Sequence, residues 1–201
     1  MNVLIDNGHG ENTAGKRSPD GRLREYAYTR EIAKAVCTEL RKRGYPAERI
    51  VRETVDVPLR ERVARVNEAC RSHGTGQCLL VSIHCNAAGN GSQWMGAKGW
   101  SAYTCKGQTK SDRLASCLYD AAKEALPEDC PIRMDQSDSD EDWEENFYIL
   151  KHTRCAAVLT ENLFQDNKED VEFLLSVEGR QAVVELHVEG IVNFIKTQEK
   201  K

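Results

Sequence analysis

Three separate apolar runs in this 201-residue chain each stop at a residue able to do metal or proton chemistry. Asn2-Val3-Leu4-Ile5-Asp6 gives way to Asn7-Gly8-His9-Gly10. Cys78-Leu79-Leu80-Val81-Ser82-Ile83 gives way to His84-Cys85-Asn86, and Ala156-Ala157-Val158-Leu159-Thr160 to Glu161-Asn162. Runs this short and apolar read as buried strands of a largely parallel sheet. In such a sheet the carboxyl ends of the strands converge on one crevice, where α/β proteins place their chemistry. The pattern therefore constrains both the fold and the position of any site.

The segments between these strands have helical periodicity. Tyr28, Ile32, Val36 and Leu40 recur every four residues across 25–43, and Gly44 ends that helix. A short strand near 48–53 follows, then a helix over 58–72 with Leu59, Val63, Val66 and Ala69 facing inward. Gly99-Trp100-Ser101-Ala102-Tyr103 reads as a strand added antiparallel to the others. Residues 111–126 read as a helix with Leu114, Leu118, Ala121 and Ala125 inward, and 147–150 as a short strand. One turn of helix near 168–175 and a long helix over 178–197, with Val184, Val188, Ile191 and Ile195 in register, close the chain. Strands alternating with helices predict a single-domain α/β fold spanning 1–201: a three-layer sandwich around a twisted, mostly parallel sheet of about six strands.

Composition narrows the function. With 28 basic against 32 acidic residues, the chain has no electrostatic footprint for nucleic acid. No apolar run approaches the ~20 residues of a membrane helix, and the start of the chain has no basic and apolar leader, so no signal peptide is expected. Eight cysteines occur without CxxC spacing. Cys37 and Cys117 fall in helical patterns and Cys78 and Cys155 border strands, so reduced, buried thiols are expected, with a Cys70–Cys78 disulfide as the alternative.

Two histidines and a carboxylate suit an open zinc site, in which three protein ligands leave the fourth position for water. His9, Glu25 and His84 are the candidate ligands, and Glu25 is also well placed at the start of the first helix. Zinc lowers the pKa of its water from 15.7 to about 7, and a base within hydrogen-bond reach is then required. Glu161, at the end of an apolar strand where an unpartnered carboxylate is costly, is that candidate. Such a set hydrolyses an amide or ester without a covalent intermediate. His73, His152 and His187 read as structural. Arg60 and Arg62, in a helix, are expected to pair with acids.

At these same positions the sequence resembles a known family, the zinc-dependent N-acetylmuramoyl-L-alanine amidases of the peptidoglycan hydrolase type. The matching pieces run in order along almost the whole chain. They are Asp6-Asn7-Gly8-His9-Gly10, Glu25 leading into a helix, Asp56-Val57-Pro58-Leu59-Arg60-Glu61-Arg62 with Asn67, Val81-Ser82-Ile83-His84-Cys85-Asn86-Ala87, and Val158-Leu159-Thr160-Glu161. The resemblance implies one Zn2+ per chain held by His9, Glu25 and His84, and Glu161 as the catalytic carboxylate. It further implies cleavage of the amide between N-acetylmuramic acid and the L-alanine of the stem peptide. The chain would act at the cell wall as a monomer on peptidoglycan or its muropeptides, in wall remodelling or lysis. Two departures stand out: Leu163 where the family usually has glycine, and Cys85 where alanine is commoner.

Substrate contacts are expected from Asn86, which could donate to the peptide or simply cap a turn, and from Trp143 and Phe147, which could close over it. These two border an acidic stretch with seven Asp or Glu from Asp135 to Glu145. That stretch reads first as a solvated loop, and second as a surface for a cationic diamino acid. A zinc carboxypeptidase or deacylase, and a wall-binding module that keeps the fold without hydrolysis, remain the competing functions.

Overall fold

Side-chain alternation along the central strands sorts the core into two layers. The computed structural model describes residues 1–135, 137 and 140–199. The strands are β1 (Asn2–Asn7), β2 (Ala47–Arg49), β3 (Cys78–Asn86), β4 (Ser101–Thr104), β5 (Trp143–Glu144) and β6 (Ala156–Phe164). The helices are α1 (Glu25–Lys42), α2 (Leu59–His73), α3 (Lys110–Ala125), α4 (Tyr148–His152), α5 (Lys168–Leu175) and α6 (Val177–Glu199). On one face of the sheet Val3, Ile5, Leu79, Val81, Ile83 and Val158 pack with the apolar sides of α1, α3 and α6. On the other, Leu4, Leu80, Ala157 and Leu159 pack with Val63 and Val66 of α2 and Ile149 and Leu150 of α4. This period-two division yields the three-layer sandwich.

The six strands run in the order β2-β1-β3-β6-β4-β5. Strands β2, β1, β3 and β6 are mutually parallel, β4 is antiparallel to β6, and β5 is parallel to β4. The chain leaves β1 for β2 on one side and then returns to β3 on the other. A topological switch point therefore lies between β1 and β3, where the strand ends diverge and leave a crevice.

Several local expectations are corrected. Phe147–Leu150 is not a strand: Tyr148–His152 is a short helix, opened by Phe147, whose carbonyl accepts from the Lys151 N–H at 2.9 Å. A four-residue apolar run cannot distinguish the two periods. Here successive Ile149 and Leu150 are both buried on the α2 side, which a helix turn allows and a strand does not. Leu59 does not face the core but is 51% exposed, and Arg62 takes the buried position on α2 instead. Ala69, Ala125 and Val184 are only partly buried. β2 is three residues long rather than six. β3 and β6 continue past His84 and Glu161, to Asn86 and Phe164.

That continuation contains a bulge. His84 pairs with Glu161 and Asn86 with Phe164, so β6 carries one extra residue between the two pairings. Leu163 supplies it with a left-handed backbone, φ 63°. L-residues enter that region at a cost of roughly 1–2 kcal/mol and glycine enters it freely, so the structure explains why a glycine suits this position. In this chain the buried Leu163 side chain packs in the larger core layer. All eight cysteines are free thiols, six of them buried, and no helix among the described residues is long and apolar enough to cross a membrane. Asp138 of the acidic stretch and the terminal Lys200 and Lys201 lie outside the described residues.

Candidate metal centre

His9, Glu25 and His84 meet at the β1/β3 switch point. Each arrives from a different element: the loop after β1, the first residue of α1, and β3. Glu25 Oε1 lies 3.5 Å from His9 Nε2 and 3.2 Å from His84 Nδ1, and one ligand atom from each of the three falls within 4.8 Å of the others. Tetrahedral zinc with bonds of ~2.0–2.1 Å separates its ligand atoms by roughly 3.3–3.5 Å. The donor set and its spacing therefore fit a zinc ion.

The loop that carries His9 is built for close approach. A Cβ on Gly8 would stand 2.5 Å from His84 Nδ1, and one on Gly10 would stand 1.9 Å from the backbone nitrogen of Asp56. The left-handed turn itself falls on His9, φ 58°, a conformation uncommon for residues other than glycine. Two arginines hold it there. The His9 carbonyl accepts from Arg30 Nη2 at 2.9 Å and Arg62 Nη2 at 3.2 Å. Arg62, 2% exposed, also donates to the Asn7 carbonyl at 2.6 Å and pairs with Asp6 at 2.7 Å and Asp56 at 2.8 Å. Asp6 in turn accepts from Ser82 Oγ at 2.6 Å. This network leaves the Arg62 charge well partnered, which a buried guanidinium requires. It also ties the strand ends of β1 and β3 to α2.

Glu25 is fully buried and has a partner at each oxygen. Oε1 accepts from the Cys85 N–H at 3.0 Å, and Oε2 accepts from Gln165 Nε2 at 2.9 Å. Burial by itself disfavours its charge, but the hydrogen bond and charge of His84, the charge of His9 and the Cys85 N–H hold its pKa below the usual carboxylate range. The pKa of His84 moves up: burial opposes the charged ring, and the adjacent Glu25 outweighs it. Burial pushes His9 down to about 4, helped by the nearby His84 and Lys16 charges, so this ring is neutral at pH 7 and has a lone pair to offer. Outer partners such as Gln165 orient a ligating carboxylate and tune its metal.

Glu161 is the β6 neighbour of His84 in register, a lateral strand spacing of about 4.8 Å. Both side chains project to the α2 and α4 side, since Leu159 and Leu80 below them do so. Its Oε2 is buried without a hydrogen-bond partner. Burial raises its pKa to about 7, and the Glu25 charge adds to this while His84 and Lys16 oppose it. An orphaned carboxylate oxygen with this proton affinity is suited to exchanging a proton with a ligand.

His9, His84, Glu161 and Lys16 share a cleft of about 340 Å³ whose wall includes Leu59, Phe147 and Tyr148. Of the three expected substrate contacts, the structure brings Phe147 here. Asn86 instead has its side-chain oxygen on the Ala87 N–H at 2.8 Å. Trp143 directs its indole N–H to the Arg133 carbonyl at 3.4 Å and lies against Tyr103. Neither lines the cleft. His187 is buried between Thr160 and the Val183 carbonyl, and His152 stacks on Tyr148 at the end of α4. His73 is exposed at the end of α2. Sequence reasoning missed Arg30, Gln165 and Lys16. Glutamine after a strand and arginine inside a helix carry no signal of their own, whereas Lys16, between two strong motif pieces, was within reach.

A family model described as N-acetylmuramoyl-L-alanine amidase matches residues 3–193. The chain belongs to that family of peptidoglycan hydrolysis. A curated relative, the endolysin of Bacillus phage SPP1, is 28% identical over 202 residues, covering 98% of this chain and 67% of the endolysin. Among solved structures, an N-acetylmuramoyl-L-alanine amidase from Clostridium difficile 630 aligns with a TM-score of 0.80 at 22% identity, covering 98% of each chain. Ami1, an N-acetylmuramyl-L-alanine amidase from Mycobacterium smegmatis, aligns with a TM-score of 0.79 at 20% identity, again covering 98% of each. At those identities the structural likeness establishes the amidase fold, a six-stranded sheet flanked by helices.

Proposed function

We propose that this amidase-family chain is a zinc enzyme that hydrolyses the amide joining N-acetylmuramic acid to L-alanine, with His9, Glu25 and His84 as metal ligands and Glu161 as general base and acid. The observation that carries this reading is the convergence of two imidazoles and a buried carboxylate on one point, with the orphaned oxygen of Glu161 on the neighbouring strand. When bound, zinc would supply Lewis acidity toward the amide carbonyl and make water nucleophilic near neutral pH.

The chain's own groups do the rest. Glu161 takes a proton from the attacking water and delivers it to the alanine nitrogen as the C–N bond breaks, leaving a lactyl carboxylate and a free amine. A carboxyl group whose pKa lies near 7 can serve in both directions at neutral pH. Gln165 and the Cys85 N–H hold the Glu25 carboxylate in one orientation. Arg30 and Arg62 fix the strained His9 backbone, so that the site is assembled before substrate arrives. Leu59, Phe147 and Tyr148 present an apolar wall beside the reacting centre.

We read residues 1–201 as one catalytic domain that works as a monomer at the cell wall. Mass spectrometry of purified peptidoglycan after digestion tests the reaction. Stem peptides released with a new L-alanine amino terminus are the expected products. Loss of a terminal amino acid instead would mark a carboxypeptidase and overturn the assignment.

A further inference from the structure

Beside the cleft lies a second cavity, of about 310 Å³, lined by Lys16, Arg17 and Arg24. Lys16 lines both cavities, so the two adjoin at this residue. The acid on this cavity, Glu11, accepts from Thr54 rather than from a cation. Among the described residues none of the three cations has a carboxylate partner. Other arginines of the chain do have acid partners: Arg62 pairs with Asp6 and Asp56, Arg65 with Glu53 and Glu61, and Arg180 with Glu31. In a protein of net charge −4, three uncommitted cations on one concave surface focus a local positive field.

The segment is also held in place. Arg17 and Arg24 face each other across an antiparallel bridge. The buried Ser18 closes the loop, its backbone N–H donating to the Leu23 carbonyl at 2.9 Å and its hydroxyl accepting from the Leu23 N–H at 3.0 Å. The Lys16 carbonyl accepts from the Glu25 N–H at 3.1 Å, which seats Lys16 directly beside the candidate ligand. Its charge is felt by both His9 and Glu161.

We propose that Lys16, supported by Arg17 and Arg24, forms a carboxylate-binding subsite for the peptide on the leaving-amine side of the scissile bond, and so determines which stem peptides are cleaved. The inference rests on the amidase reading above. The chemistry of that substrate assigns the side. Muramic acid spends its lactyl carboxyl in the amide to be cleaved, so the anionic groups near the reaction belong to the peptide. A partly buried ammonium with no internal partner gains a charge-assisted hydrogen bond from such a carboxylate.

Two small substrates that differ by one carboxylate test this: N-acetylmuramoyl-L-alanyl-D-isoglutamic acid and its isoglutamine counterpart. The wild-type protein should favour the diacid by about tenfold in kcat/KM, chiefly through KM, as expected for a hydrogen bond to a charged group. Lys16→Met should bring that ratio to about one, and Lys16→Arg should keep it. Binding of the same two compounds to Glu161→Gln, followed by calorimetry, should show the same order without turnover. An equal ratio in wild type and Lys16→Met, or a wild-type ratio of one, overturns the subsite while leaving the amidase reading intact. If the wild-type protein cleaves neither compound, the Glu161→Gln binding comparison decides, and equal affinity for the two overturns the subsite, while the amidase reading stands or falls on peptidoglycan digestion.

Discussion

His84 and His187 stand beside the same strand on opposite faces of the sheet, and their surroundings give them different uses. His187, fully buried, accepts from the Thr160 hydroxyl at Nε2 and donates from Nδ1 to the Val183 carbonyl. Both nitrogens are satisfied by neutral groups, and burial pushes its pKa down to about 4. His84 lies beside Glu161, the next residue on β6, keeps 18% of its side chain open, and turns Nδ1 to the Glu25 carboxylate. Its pKa moves up. A histidine is thus made a core residue or a candidate ligand by what its nitrogens meet, and the alternation of one strand decides which face it serves.

The two sides of the sheet should respond differently to substitution. Glu161→Gln should lower kcat by at least about 100-fold, the lower bound for losing a general acid–base group, while retaining metal. Wild-type turnover would remove Glu161 from the mechanism. Gln165→Leu leaves the Glu25 ligand atom in place but removes its outer partner. Zinc affinity, measured by competition with a chelator, should weaken by about 10- to 100-fold, and unchanged affinity would deny Gln165 that role.

On the core face the effect is on stability and depends on pH. The folded pKa of His187, about 4, is below its unfolded value of 6.5. The stabilisation is therefore fully present above pH 6.5 and is lost as pH falls through 4, by about 3 kcal/mol in all. Urea unfolding across this window should show the loss, and His187→Gln should flatten it. A slope that survives in the variant would place its origin in other groups.

The smallest effect tests the bulge that separates Glu161 from the end of its strand. At ordinary strand positions glycine is less stable than alanine by 0.5–1 kcal/mol. At the left-handed Leu163 the order should invert, with Leu163→Gly more stable than Leu163→Ala by about 1 kcal/mol. Thermal midpoints in the usual order would show that this backbone is not strained.

The parts of this architecture visible in the sequence are those with a local period. The apolar runs of β1, β3 and β6 and the four-residue spacing of α1 announce themselves, and so do the polar residues where the runs stop. What escaped has no local period. Tyr148–His152 is too short to choose between helix and strand. Leu59 looks like a core residue by spacing, yet the buried position goes to Arg62, because Asp6, Asp56 and three carbonyls await its guanidinium. Asp6 and the Asn7 and His9 carbonyls come from more than 50 residues away, and no window along the chain displays them. Nor does the Gly-His-Gly segment announce that its left-handed residue is His9 while the glycines make room for neighbours. The expected roles of Asn86 and Trp143 rested on nearness in sequence to His84 and Phe147, and their side chains are directed elsewhere.

The central claim is that His9, Glu25 and His84 act together on one zinc ion, and metal stoichiometry tests it most directly. Elemental analysis of zinc-loaded, desalted protein should give one equivalent for the wild type and for His187→Gln, and far less for His84→Ala. A full equivalent in folded His84→Ala would contradict the account.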